Sequence, residues 1–141
     1  MEIQPTADDA VDRFEVALVH FPTVELPLKH YFADGLYARE MTIPPGAGLT
    51  GKVHKTEHIA VISKGDITVW SEEFGTKRIK APCTFVSAPG TRRAAIAHEE
   101  TIWTTFHATR ETDIDKLEAE LVEERANPLL PQGDPRCPLL Q

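Results

Sequence analysis

Short runs of β-branched and aromatic residues, cut by glycine and proline at nearly even spacing, fill this 141-residue chain between Leu36 and His107. The runs are Leu36–Ile43, a short one around Val53, Ile59–Ser63, Ile67–Trp70, Lys77–Lys80, Thr84–Ser87, Arg93–Ala97 and Thr101–His107. Pro44-Pro45-Gly46, Lys64-Gly65-Asp66, Glu72-Glu73-Phe74-Gly75 and Ala88-Pro89-Gly90 separate several of them. Strands this short, joined this tightly, pair antiparallel and close into a sandwich or barrel. An all-β domain over residues 13–110 is the expectation.

Period-two geometry assigns faces. Tyr37, Arg39, Met41 and Ile43 share one face of their strand. In the last strand Thr101, Trp103, Thr105 and His107 share one face, and Ile102, Thr104 and Phe106 the other. If the first set points inward, Trp103 and His107 line the interior; if the second does, Ile102 and Phe106 fill it.

The flanks read differently. Met1–Asp12 is polar and acidic, and is expected to be a loose N-terminal segment. Phe14–His20 alternates bulky residues and predicts a strand that Pro22 and Pro27 break. Thr112 predicts the N-cap of a helix over 111–127, with Asp115 in its first turn, a stripe of Ile114, Leu117 and Leu121, and a stop at Asn127-Pro128. Residues 128–141 contain Pro131, Pro135 and Pro138, so they form a tail without regular structure. Its leucines suit docking on another surface, and its composition equally suits disorder.

Composition excludes some classes. No run is apolar for long enough to span a bilayer, and Met1-Glu-Ile-Gln-Pro-Thr is not a secretory leader. The formal charge of −7 argues against nucleic-acid binding. Cys83 and Cys137 read as two free thiols, which suits a cytoplasmic protein. Acids concentrate in residues 111–125, while Lys52, Lys55, Lys64, Lys77, Arg78, Lys80, Arg92 and Arg93 make the centre the more cationic part. Solvated surface is the usual cause of such clusters.

The stretch Gly46–Gly65 carries a family resemblance. With Gly46, Lys52, His54, His58 and Gly65 it matches the spacing of the first cupin motif, G-x5-H-x-H-x3,4-E-x6-G. Lys52 stands at the first histidine of that motif and His58 at the glutamate. Pro82–Ala97 matches the spacing of the second motif, with Gly90 kept and Arg93 at its histidine. Over residues 30–108 the chain therefore resembles a small single-domain RmlC-like cupin, and as a whole it is similar to small cupins of bacteria and bacteriophages. The resemblance implies a double-stranded β-helix, or jelly roll, with one C-terminal helix, and by analogy a homodimer or larger homo-oligomer.

The substitutions change the chemistry. The resemblance implies a divalent metal held by three histidines and a glutamate. Arginine does not ligate metals, and lysine does so only after losing its proton. Lys52 and Arg93 repel a divalent ion, and the two imidazoles of His54 and His58 are too few to close a site. If a metal is present, His54, His58 and His107 are the candidate ligands. Without one, Lys52 and Arg93 suit an anion, and His54 and His58 suit proton transfer. Trp103 and His107 are further candidates for the pocket wall; Tyr37 and Arg39 lie on a strand that the resemblance places along the cavity.

His54-Lys-Thr-Glu57-His58 also spells the inverted zinc-protease signature H-x-x-E-H. That motif needs a helix. Here glycines precede it and Ile59-Ala-Val-Ile62 follows, so no helical period runs through it. A straight strand would hold the two histidines about 13 Å apart, so Lys55–Glu57 must kink if they share a ligand. His98-Glu99-Glu100 reads as an exposed turn, and His20 and His30 have no evident partners.

Three functions follow. The first is acid–base chemistry (isomerase, dehydratase or epimerase) on an anionic, sugar- or nucleoside-derived small molecule, with no cofactor. His54 would be the base, His58 its partner, and Lys52 and Arg93 the anion clamp. The second is a non-catalytic ligand-binding or structural module, of phage origin if the broader resemblance holds. The third is a metal-dependent oxygenase or isomerase. The plainest alternative sends Lys52 and Arg93 out to solvent and leaves the histidines as core residues.

Overall fold

Alternation of apolar and polar residues builds two antiparallel sheets that face each other across one core. The structure is a computed structural model; it describes residues 7–18, 26–72 and 74–123. In chain order the elements are α1 (Ala7–Leu18), β1 (Leu28–Ala33), β2 (Leu36–Ile43), β3 (Gly48–Thr50), β4 (Val53–His54), β5 (His58–Lys64) and β6 (Asp66–Ser71). Next come β7 (Gly75–Lys80), β8 (Cys83–Ser87), β9 (Arg93–Ala97), β10 (Thr101–Ala108), α2 (Ile114–Leu121) and β11 (Val122–Glu123).

One sheet has the order β1-β2-β10-β5-β8, the other β3-β9-β6-β7, and β11 pairs with β4 in a small third ladder. This is the all-β jelly roll with a C-terminal helix expected from the sequence. Met41, Ile43, Leu49, Ile62, Ile67, Val69, Ile79 and Ala97 form the buried core between the sheets. The β5–β6 turn is tight: Gly65 has φ +108°, and a Cβ there would lie 2.6 Å from the Glu100 carbonyl oxygen. Only glycine fits.

Two expectations at the N-terminal end are corrected. Phe14–Leu18 is not a strand, and residues 7–12 are not loose: α1 runs from Ala7 to Leu18. Val11, Phe14 and Leu18 fall at helical spacing, and the stripe they form outweighs the local alternation. Val11 is buried, and a buried ion pair from Arg92 to Asp12 (2.8 Å) ties the helix down. Small residues let α1 approach the outside of the four-stranded sheet, since a Cβ on Gly48 would meet Leu18 at 2.8 Å. Thus one sheet wears a helix on its outer face.

The outer face of the other sheet carries one apolar row beside a more polar one that holds the Lys29–Glu40 ion pair. Tyr31, Ala38, Phe106, Ile59 and Val86 stand opposite one another in a single cross-strand row. Tyr31, Ile59 and Val86 are exposed.

The remaining differences concern boundaries. β1 was not foreseen, although Asp34-Gly35 between two apolar runs is a hairpin signal; Pro27 masked it. β3 and β11 were missed because two or three residues carry no period. Asp113, not Thr112, caps α2, accepting from the Lys116 amide, and α2 ends at Leu121 rather than at Asn127. It ends there because the chain turns extended to pair Val122 with His54. Leu117 and Leu121 are buried as the stripe predicted. His20, Cys137 and the tail 128–141 lie outside the described residues. No helix among the described residues is long and apolar enough to cross a membrane.

Candidate functional site

The strands that build the apolar core change character toward one end. On β2 the inward row runs Ile43, Met41, Arg39, Tyr37; on β10 it runs Thr101, Trp103, Thr105, His107. Register sets Trp103 beside Met41 and Ile62, Thr105 beside Arg39 and Ala60, and His107 beside Tyr37. One end of the interior is therefore apolar and the other polar, with Trp103 and His107 both on the inward-facing set.

His54 and His58 join His107 in that polar end. The kink required at Lys55–Glu57 is present as a bend between β4 and β5, with Glu57 exposed. It brings the ring centroids of His54 and His58 to 4.4 Å, His54 and His107 to 5.2 Å, and His58 and His107 to 4.8 Å. The backbone of His54 is fixed on both sides. It pairs with Val122 of β11, and its carbonyl accepts from the Gly90 amide at 2.9 Å. Lys55 adds a backbone bond to Leu121 (2.8 Å) and a side-chain bond to the Ala119 carbonyl (2.9 Å).

Burial governs the protonation of this trio. His54 is pushed down to about 3, first by desolvation, then by His58, His107, Arg39 and Arg93. His107 is pushed down to about 4 by desolvation, His58 and Arg39. His58 is lowered by desolvation, against a weak bond to the Thr56 carbonyl (3.4 Å), and by Arg93. All three imidazoles are neutral at pH 7. His107 Nε2 bonds Thr105 Oγ1 at 3.0 Å, while its buried Nδ1 has no hydrogen-bond partner among the described residues. Such an atom costs about 1–3 kcal/mol.

A cavity of about 40 Å³ opens beside the trio, enough for about three water-sized groups. Met41, Leu49, Ala95 and Trp103 form its apolar wall; Lys52, His54, His58, Thr91, Arg93 and Thr105 form its polar wall. Lys52 and Arg93 thus face inward, not solvent. Arg93 donates to Ser87 Oγ at 2.7 Å and lies over the Phe85 ring. Ser87 is the register partner of His58, so the arginine and the imidazole are positioned by one residue pair.

Tyr37 and Arg39 sit one layer away from the cavity. Tyr37 stacks on His107, and its hydroxyl meets Arg39 Nε at 3.0 Å and His30 Nδ1 at 2.6 Å. His30 therefore has a partner, contrary to expectation; burial and then Arg39 lower its pKa. A residue the sequence reading missed completes the group. Glu118 of α2 places Oε1 at 3.1 Å from Lys52 Nζ and 3.7 Å from Arg39 Nη2. The available signal was the acid-rich segment 111–125 set against a cationic centre, with Glu118 next to the buried Leu117. His98 lies on the exposed turn expected for it, bonded to Thr68 Oγ1 at 2.6 Å.

Comparison with solved structures decides the fold. KdgF from Halomonas sp. superposes with a TM-score of 0.52 at 21% identity, over 64% of this chain and 86% of that one. An RmlC-like cupin with a double-stranded β-helix from Methanocaldococcus jannaschii gives 0.50 at 10%, over 61% and 82%. The cupin domain of Cnp3 from Schizosaccharomyces pombe gives 0.50 at 21%, over 70% of each. The chain has the double-stranded β-helix fold of small cupin domains. No family model and no curated protein matches it, so these likenesses establish fold alone.

Cupin motif positions imply a divalent metal, and the residues present do not fit one. Two of the four positions are Lys52 and Arg93, both on the cavity wall. Among the described residues no group of three or more His, Cys, Asp or Glu side chains is arranged to hold a metal ion. The H-x-x-E-H string spans a strand, a bend and a strand, so it is no protease motif.

Proposed function

We propose that this cupin domain binds the anionic head of a small molecule in the cavity beside His54 and His58. The observation that carries the reading is that Lys52 and Arg93 line the same small cavity as two neutral imidazoles. Cations in a partly desolvated wall favour a carboxylate or phosphate oxygen and oppose a divalent cation. The space takes a head group; the body of a sugar- or nucleoside-derived ligand would extend outside it. Trp103 supplies the apolar side of the wall.

Acid–base turnover follows on binding. An imidazole held near a pKa of 3 is not poised as a base at neutral pH. A bound anion stabilises the imidazolium and raises that value, so the ligand itself prepares His54 to take a proton, with His58 as its neighbour. Thermal-shift and NMR titrations with acetate and inorganic phosphate test this. Saturable perturbation of the His54 and His58 ring signals, lost in Lys52→Ala, is expected. Stoichiometric uptake of a divalent metal by untagged protein, with no response to anions, would replace this reading with the metal-dependent one.

The exposed Tyr31, Ile59 and Val86 on the outer face of the five-stranded sheet favour a second role, in assembly. Five strands of about six residues present a face roughly 20 Å on each edge, about 400 Å² against the ~800 Å² per partner of a stable dimer, so such a contact would have to reach past the sheet's edges. A second copy is the occupant that fits the homo-oligomer implied by the resemblance. Val86→Lys with Ile59→Lys should lower the mass in light scattering; an unchanged mass rejects this face as the interface.

A further inference from the structure

The carboxylate of Glu118 already holds Lys52, one of the two cations an anionic ligand in the cavity would seek. Its Oε1 lies between two cations, Lys52 Nζ at 3.1 Å and Arg39 Nη2 at 3.7 Å. Lys52 is on the cavity wall, and Arg39 is buried behind it with its Nε fixed on the Tyr37 hydroxyl. Glu118 itself is less constrained, with a half-exposed side chain. The helix that carries it is anchored elsewhere, through Leu117, Leu121 and Val122 packed on Tyr37. The glutamate can therefore swing outward while α2 stays in place, because its three side-chain torsions are independent of that packing.

We propose that the ligand's head group is a carboxylate and that it binds by displacing Glu118 from Lys52. This rests on the anion-binding reading of the cavity. Glu118 is then a specificity-determining residue: it keeps two buried cations neutralised while the site is empty, and it sets the threshold an incoming carboxylate must exceed. Displacement exchanges one charge-assisted pair for another, so affinity is held low by competition within the chain. Removing the competing charge raises it.

The test titrates sodium acetate and inorganic phosphate, at fixed ionic strength, into the wild-type protein, Glu118→Gln and Glu120→Gln. The last variant carries the same change in net charge on the same helix, at a residue that bonds Thr109 instead of the cations. Histidine ring signals report binding. Acetate should bind Glu118→Gln about tenfold more tightly than wild type, Glu120→Gln should match wild type, and acetate should exceed phosphate. Equal acetate affinity in wild type and Glu118→Gln overturns the displacement, as does an equal gain in Glu120→Gln. A preference for phosphate in Glu118→Gln overturns the ligand class. If no anion perturbs the imidazoles of any of the three proteins, the cavity reading itself fails.

Discussion

The two ends of the barrel interior are built by the same strands and obey different rules. At the apolar end Ile43, Ile62, Ile67 and Val69 are fully buried and need only each other. At the polar end Tyr37, Arg39, His54, His58 and His107 are buried too. Each has to be kept uncharged, paired or hydrogen-bonded there. Burial at the first end is a source of stability. Burial at the second costs stability, tolerable only because the apolar end supplies the excess. That division is what a binding cavity in a small domain requires.

The largest expected effect tests the apolar end. Ile62→Ala should lower unfolding free energy by about 2–5 kcal/mol, measured by urea denaturation. A loss below about 1 kcal/mol would mean that this end is not the source of stability.

The polar end should show itself in pH dependence. Its imidazoles titrate near the ordinary value of 6.5 when unfolded but are held near 3 and 4 at His54 and His107 when folded. The unfolded chain therefore binds more protons below about pH 6.5. Stability is full above that value and falls with acidification, at up to about 1.4 kcal/mol per pH unit for each imidazole. Asp66, lowered from 3.8 by Arg78, adds its own loss only in more acid solution. Melting temperatures between pH 7 and pH 4.5 check this; a flat profile would contradict the neutral, buried trio.

The smallest effect is the sharpest. His107→Leu removes the unpartnered buried Nδ1 and should change stability at pH 7 by less than about 1 kcal/mol in either direction, while flattening the pH profile by one imidazole's share. If it costs as much as Ile62→Ala, the two ends do not differ as described.

Much of the fold was legible because strand signals are local. Turn residues and alternation located β2 and β5 through β10, and parity placed His107 and Trp103 on one face, which the packed sheets turn inward. The resemblance to the cupin motif, together with a kink at Lys55–Glu57, brought His54 and His58 to one site. The N-terminal helix was misread because Phe14, Val16 and Leu18 satisfy a two-residue period while Val11, Phe14 and Leu18 satisfy a helical one, and only the space above Gly48 selects between them. Glu118 and His30 were missed for different reasons: the partners of Glu118 are distant in sequence, and that of His30 lies across a hairpin whose first strand was not recognised.

The sequence by itself determined a small antiparallel barrel with histidines and cations at cupin motif positions, since side-chain period and turn chemistry act within a few residues. The tertiary structure decided which charges meet. Lys52 and Arg39 share Glu118 because β11 pairs with β4 and draws α2 across the polar end. Coulomb interactions in a desolvated interior depend on distances that only the packed chain sets.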